Sequence, residues 1–156
     1  MTGKIDARLA ELDVVLPTPA VPVASYVPFV RTGNLVIVSG QVTLDNGEVR
    51  FVGKLGDDFG VDEGYQAARL CAVNLLAQLR AACDGDLDRV TRVVRLGGFV
   101  NATPDFKDHP KVINGASDLM KEVFGDAGQH ARAAVGCVSL PLGVAVEVEG
   151  MFEIAG

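Results

Sequence analysis

Arg132 is the residue of this sequence whose surroundings best suit the binding of a small anion. It is the only charged residue from Ala131 to Ala145, and its neighbours are mostly small. A guanidinium can form two parallel hydrogen bonds with one carboxylate, so a sheltered arginine suits the recognition of an acid. The residues leave a second interpretation open, in which Arg132 pairs with a glutamate and closes a contact between subunits.

Carboxylates that could face this arginine lie a few residues further along the chain. From Val144 to Ile154, apolar residues recur at every second position and glutamates stand between them. This period of two predicts a strand with one apolar and one acidic face. The stretch 131–138 alternates in the same way and predicts a neighbouring strand. We therefore expect Arg132 and the glutamates, Glu147 among them, to share one sheltered face of a sheet.

The elements that must carry these residues follow a simple order. In sequence they are a helix over 4–14, an extended proline-containing arm over 16–24, strands over 26–31 and 35–39, a hairpin turn at 46–47, a helix from 62 to about 83, a strand over 88–100, one helical turn after 103–104, a helix over 109–124 and the two strands above. Gly97 and Gly98 interrupt the strand over 88–100 and predict a bulge or a close backbone approach. Two helices can cover one face of such a sheet, so the predicted class is α+β.

The length and composition of the chain restrict its class. A chain of 156 residues is expected to form one domain, over 1–156, with an N-terminal arm over 1–20. No apolar run approaches the roughly 20 residues that span a bilayer, and the N-terminus lacks the apolar segment of a secretory signal. We therefore expect a cytoplasmic protein with no membrane partner.

The charge and the cysteines exclude further classes. The net charge is −6 and the isoelectric point is about 4.8, which opposes charge-driven binding of nucleic acid. The three cysteines are widely separated, so they indicate neither a disulfide framework nor a metal site.

The sheet face that the helices leave open should not be exposed to water. Besides charged residues it is predicted to carry alanine, glycine, valine and methionine, which is too apolar for a solvated surface. Burial against identical subunits is the natural solution, and we predict a closed homo-oligomer.

Several stretches together resemble the reactive intermediate deaminase family, formerly called YjgF and also known as endoribonuclease L-PSP-like. They run through most of the chain, from about residue 20 to 154. The matching residues are Tyr26, the run Val30-Arg-Thr-Gly-Asn-Leu-Val-Ile-Val-Ser-Gly-Gln41, Asn114, Ala131-Arg132, Leu140-Pro141 and Val146-Glu-Val-Glu149. The first twenty residues and 53–59 resemble additions found in a longer subgroup of the family.

The resemblance implies a chorismate-mutase-like α+β fold and a homotrimer. In such trimers three sheets form a central barrel, the helices lie outside, and three clefts lie between subunits. Members of the family hydrolyse enamines and imines, such as 2-iminopropanoate and 2-iminobutanoate, to 2-keto acids and ammonia, without a cofactor or a metal.

The resemblance also implies roles for individual residues. Arg132 corresponds to the residue that holds the substrate carboxylate, and Glu147 to the acid that positions and activates water. Tyr26, Ser39, Gly40 and Asn114 correspond to positions that line the cleft. On residue chemistry alone, Tyr26 could be an interface residue, Ser39 could satisfy a backbone group at a strand end, and Asn114 could be a polar residue at a helix end.

One position departs from the family pattern. Members commonly carry cysteine two residues after the arginine, where this chain has Ala134. Cys137 is no substitute, because an offset of three places it on the opposite face of the strand. The change leaves the shape of the substrate pocket and the identity of the substrate open.

Two further functions stay open at this point. The chain could form a trimer that binds a small carboxylate metabolite without turnover, and the older family name raises ribonuclease activity. The acidic charge disfavours the ribonuclease hypothesis, as does the absence of a pair of histidines suited to general base catalysis.

Overall fold

The fold is built on a five-stranded sheet, seen in a computed structural model that describes residues 2–22 and 24–156. Its strands are β1 (Phe29–Thr32), β2 (Leu35–Gln41), β5 (Val90–Asn101), β6 (Ala131–Cys137) and β7 (Val146–Ile154), in the order β1-β2-β7-β5-β6. A separate hairpin consists of β3 (Leu44–Asp45) and β4 (Glu48–Val49). The helices are α1 (Lys4–Glu11), α2 (Val61–Ala82) and α3 (His109–Phe124). This architecture confirms the predicted α+β class.

Strand β6 forms one edge of the sheet and is its only parallel member among the described residues. It pairs with β5, and α3 makes the crossover between them, as a parallel pair requires. The strand that carries Arg132 therefore has one free edge and lies next to the helix that precedes it.

The core lies between one face of the sheet and the helices α2 and α3. From β7 it receives Val146, Val148, Phe152 and Ile154, all at most 1% exposed. The two helices cross closely at Gly115, where a β carbon would overlap the Tyr65 carbonyl. Because only glycine fits there, this crossing holds α3 at a fixed height above β5 and β6.

The two strand glycines mark a close approach, as predicted, and not a bulge. A β carbon at Gly98 would overlap the side chain of Ile113 on α3. The irregular pairing between β5 and β7 lies earlier in the strand, between Val90 and Arg95. Gly98 therefore lets α3 pack closely on β5, whereas Gly97 faces the other side of the sheet, where a β carbon would approach the side chain of Glu149.

The face opposite the helices is partly apolar, in agreement with the sequence. It carries Val30, Ile37 and Val135, whose exposed fractions are 50%, 41% and 47%. Their burial against identical subunits stays a prediction.

Two element boundaries and one predicted helical turn differ from the predictions for local reasons. Helix α1 ends at Glu11 because Asp13 adopts a left-handed conformation, with φ of 55°. Strand β1 begins at Phe29, just after Pro28, which has no N–H to donate. The segment after Thr103 forms a turn and no helix, closed by the Phe106 N–H donating to the Thr103 carbonyl at 3.2 Å. The predicted hairpin turn is confirmed, with positive φ at residues 46 and 47.

Candidate functional site

The side chain of Arg132 points towards α3 and not towards the open face of the sheet. Arg132 pairs in register with Leu96 of β5, which is fully buried beneath the helices. The prediction that Arg132 shares a face with the glutamates is therefore wrong. Each strand shows its own alternation in the sequence, but the β5–β6 register decides which residues of β6 face the helices.

Three neutral oxygen atoms of α3 hold the guanidinium. Nη1 donates to Asn114 Oδ1 at 2.8 Å and to Ser117 Oγ at 3.2 Å, and Nη2 donates to the Pro110 carbonyl at 3.4 Å. No salt bridge to Arg132 occurs among the described residues. The nearby Asp118 accepts instead from the Tyr65 hydroxyl at 2.8 Å. The positive charge is thus oriented by the chain but not neutralised by it, which suits an anion site.

Asn114 reaches the site from the first turns of α3, three residues before Ser117. Residues at this spacing lie on the same side of a helix, and both side chains meet the guanidinium. The structure therefore brings Asn114 together with Arg132, whereas the role of Ser117 was not predicted. The shared helical face was the signal that could have found it.

His130, just before the start of β6, joins the same cluster. Its Nε2 lies 2.8 Å from Ser117 Oγ, and its Nδ1 lies 2.7 Å from the Gly128 carbonyl. Burial lowers the pKa of His130 by more than the hydrogen bond to the Gly128 carbonyl raises it, and the nearby charges of Arg132 and Lys121 lower it further. The imidazole is therefore neutral at neutral pH.

A second group of predicted residues lines a cavity of about 660 Å³ elsewhere in the chain. Tyr26, Ser39, Gly40 and Glu147 all contribute to its wall. The pairing of β2 with β7 is irregular between residues 38 and 41, so the strand departs from β7 at this point. The carboxylate of Glu147 lies over Gly40, where a β carbon would overlap it.

Glu147 has the properties of a proton carrier. Burial raises the pKa of its carboxyl group, and the charge of Glu149 raises it further. Glu147 pairs in register with Phe99, which places it on the open face of the sheet, opposite to the face of Arg132. A raised pKa makes the carboxylate a stronger base, which suits it to accept and return a proton.

Ser39 supports the cavity by holding the segment that carries Tyr26. Its Oγ donates to the Val27 carbonyl at 2.8 Å, and its N–H donates to the Pro28 carbonyl at 2.9 Å. The hydroxyl thus satisfies a backbone group, as one of the two interpretations of this residue required. Tyr26 is 54% exposed and stands at the cavity wall.

Residues 20–22 of the extended arm supply another wall of this cavity. Ala20, Val21 and Pro22 line it, and Gln78 of α2 donates from Nε2 to the Ala20 carbonyl at 2.8 Å. Gln78 is only 2% exposed, so this hydrogen bond fixes the arm from beneath. The sequence left open whether the arm contributes to the cleft.

Ala134 lies on the same side of β6 as Arg132, since it pairs with Gly98 beneath α3. It is partly buried against the core. The methyl group therefore occupies a position near the anion site, on the far side of the sheet from Glu147.

Comparison with known proteins identifies the family. A model of the family described as "YjgF/chorismate mutase-like, putative endoribonuclease" matches residues 6–153. The chain belongs to this family. The resemblance drawn from the sequence motifs is thereby confirmed.

Two relatives are similar in sequence to this member of the YjgF/chorismate mutase-like family along nearly its whole length. Protein TCP17 of Trypanosoma cruzi is 46% identical over 154 residues, which cover 98% of this chain and 96% of that protein. A 2-iminobutanoate/2-iminopropanoate deaminase of Dermatophagoides farinae is 26% identical over 149 residues, which cover 90% of this chain and 95% of that protein.

Solved structures share the YjgF/chorismate mutase-like fold along nearly the whole chain. A protein of unknown function from Agrobacterium tumefaciens is 47% identical, with a TM-score of 0.91, covering 97% of this chain and 92% of that one. A "putative endoribonuclease" from Shewanella oneidensis is 37% identical, with a TM-score of 0.93, covering 96% of this chain and 99% of that one.

Two other kinds of feature are absent from the described residues. They contain no group of three or more histidine, cysteine, aspartate or glutamate side chains placed to bind a metal ion. Nor do they contain a helix both long and apolar enough to cross a membrane.

Proposed function

We propose that this protein hydrolyses reactive enamines and imines, as 2-imino acids, to 2-keto acids and ammonia. The observation that carries the proposal is the guanidinium of Arg132, which three neutral acceptors orient and no carboxylate of the described chain neutralises. Such a group has its charge available for the carboxylate of a small acid. The sequence relationship to the mite deaminase supports the same reaction class.

The proposed chemistry needs one anchor and one proton carrier. Arg132 holds the substrate carboxylate, so that the neighbouring C=N carbon takes a defined position. Glu147 accepts a proton from water as the water oxygen adds to that carbon, and returns this proton to the nitrogen, which gives a carbinolamine. The remaining hydroxyl proton then passes through Glu147 to the nitrogen, the C–N bond breaks, ammonia leaves, and the C=O bond of the 2-keto acid forms.

The two groups lie on opposite faces of the sheet, so we propose that each site is shared between subunits. Arg132 with Asn114 lies at the β6 edge beneath α3, and Glu147 lies in the cavity beside β2. In a closed homotrimer the edge of one subunit can approach the cavity of the next. The apolar residues on the open face of the sheet support this assembly, because a group of exposed apolar side chains is typical of a surface that contacts another protein chain.

The test measures keto-acid release from freshly generated 2-iminopropanoate and 2-iminobutanoate. We expect the protein to accelerate release, and Arg132→Ala to lower kcat/KM by about a hundredfold or more, as expected for a charged hydrogen-bonding anchor. Arg69→Ala is the matched control. Arg69 pairs with Glu122 at 3.2 Å between α2 and α3, and it belongs neither to the cluster around Arg132 nor to the cavity lined by Glu147. A rate equal to that of buffer for every imino acid would contradict the proposal.

A second candidate function is the binding of a small carboxylate without turnover. It is favoured by one observation, namely that the anion site around Arg132 is complete within one chain whereas Glu147 lies elsewhere. Calorimetric binding of 2-ketobutyrate by a protein that shows no catalytic rate would select this function. Ribonuclease activity has weaker support, because the net charge of −6 opposes RNA binding.

A further inference from the structure

We infer that Ser117 and His130 are positioning residues that fix the orientation of the Arg132 guanidinium. The three side chains form one chain of hydrogen bonds that begins at the Gly128 carbonyl. The inference rests on the proposed function in so far as it concerns a substrate carboxylate, but the geometry of the pair can be tested without activity.

The direction of each hydrogen bond follows from the partners. The Gly128 carbonyl can only accept, so Nδ1 of His130 carries the proton. In a neutral imidazole Nε2 is then an acceptor, and the Ser117 hydroxyl must donate to it. The lone pairs of Ser117 Oγ are therefore free to accept from Arg132 Nη1.

This arrangement gives the guanidinium a defined plane. Nη1 is held by Asn114 Oδ1 and Ser117 Oγ, and Nη2 by the Pro110 carbonyl. Ser117 is 8% exposed, so water has little access to replace its hydroxyl. Bidentate binding by the planar guanidinium depends on its orientation. The Ser117 oxygen, which is held in place by its hydrogen bond to His130, fixes that orientation.

The serine and histidine are arranged like a nucleophile and its base, with the base oriented by a third group. The burial of Ser117 beneath Arg132 argues against that role, because a substrate carbonyl could not reach Oγ. The pair therefore acts through the arginine and not on the substrate.

The charged groups around His130 favour its neutral form. Lys121 and Asp118 approach from α3, Arg132 comes from β6, and Arg92 of β5 donates from Nη2 to the Gln129 carbonyl at 3.3 Å. Three of these four groups are cationic. Protonation of His130 would turn Nε2 into a donor, reverse the Ser117 hydroxyl and place an imidazolium beside the guanidinium.

The experiment compares Ser117→Ala and His130→Gln with the unchanged protein. We expect each variant to weaken binding of 2-ketobutyrate and to raise KM by about tenfold, the effect of one hydrogen bond to a charged group, with kcat within about twofold. Ser117→Thr keeps the hydroxyl, and its KM should equal that of the unchanged protein. His109→Gln is the matched control, since the other histidine of the chain packs against Phe106 and is not among the hydrogen-bond partners of Arg132.

Two further measurements make the outcome decisive. In the unchanged protein KM should rise as the pH falls through the lowered pKa of His130, and in His130→Gln this rise should be absent. Nitrogen-15 spectra of the histidines should show His130 neutral at pH 7 with its proton on Nδ1. A proton on Nε2, or folded Ser117→Ala and His130→Gln proteins that bind 2-ketobutyrate as tightly as the unchanged protein, would overturn the inference.

These outcomes are separable from a failure of the proposed function. If 2-ketobutyrate binds but no imine is hydrolysed, the binding constants of the variants still test the pair. If the unchanged protein neither binds nor hydrolyses, the proposed function fails, and the nitrogen-15 spectra alone decide whether Ser117 and His130 are arranged as inferred.

Discussion

The carboxylate of Glu147 lies over the backbone of Gly40, at a point where a β carbon would overlap it. The irregular pairing of β2 with β7 lies at the same place. Glycine at position 40 thus leaves room for the close approach of an acidic side chain, and does not serve an unusual backbone conformation.

Gly40→Ala should displace the Glu147 carboxylate and lower activity more than stability. A displacement of about 1 Å at a reacting group costs on the order of a hundredfold in rate. Measurements of kcat/KM on 2-iminopropanoate and of the thermal midpoint should show this difference. Gly60→Ala is the control, since a β carbon there comes no closer than 3.3 Å to Glu63. Equal activity of the two variants would contradict the position assigned to Glu147.

Glu147→Gln should lower kcat by about a hundredfold or more, the usual contribution of a general acid or base. The same change should stabilise the protein at neutral pH. The pKa of Glu147 is raised in the folded state, so between the unfolded and the folded pKa the folded chain binds more protons, and stability falls as the pH rises. Glutamine carries no charge and escapes this loss.

The measurement is denaturant unfolding of both proteins at several pH values. The stability gain of Glu147→Gln should be present at pH 7 and should vanish below about pH 4, where the glutamate is protonated in both states. A gain of the same size at every pH would show that the carboxylate is not desolvated.

Inactive subunits should complement each other if each site is shared. Co-expressed Arg132→Ala and Glu147→Gln chains should regain roughly a quarter of the original activity, because in random trimers about one cleft in four receives both intact residues. Mixing Arg132→Ala with a chain that carries both substitutions is the control and should restore nothing. Absence of complementation in confirmed mixed trimers would place the whole site in one chain.

The arm should determine which substrate side chains enter the Glu147 cavity. Gln78→Leu removes the donor to the Ala20 carbonyl and should free the arm. Because Val21, Pro22 and Leu142 line the cavity, we expect preference between imines derived from leucine and from alanine to change by about tenfold, within the range that a few methylene contacts provide. The ratio of the two kcat/KM values measures this.

Gln66→Leu provides the matched control for the arm, since Gln66 is an exposed glutamine of the same helix. Limited proteolysis would report whether the arm has been released. An unchanged ratio in a Gln78→Leu protein whose arm is cleaved readily would show that the arm does not select substrates.

The strands and helices could be predicted because their periodicity is local. The alternation from Val144 to Ile154 and the helical spacing in α2 and α3 each depend on one segment. The face reached by Arg132 depends instead on the pairing of two strands joined by a 29-residue connection, from residue 102 to residue 130. No pattern within either strand determines that register, so the prediction for Arg132 was wrong although its strand was predicted correctly.

The candidate site shows the same division. Tyr26, Ser39, Gly40 and Glu147 were assigned by resemblance, and the structure places them around one cavity. The bond between Ser117 and His130 joins a helix to the start of a strand through tertiary packing alone. The sequence shows that both residues are present, but it does not give the distance between them in the folded chain.

Apolar side chains without a covering layer have a thermodynamic consequence. If Val30, Ile37 and Val135 find their burial in neighbouring chains, part of the folding free energy belongs to the assembly and not to the single chain. The melting temperature would then depend on how concentrated the protein is, and dilution alone would weaken it.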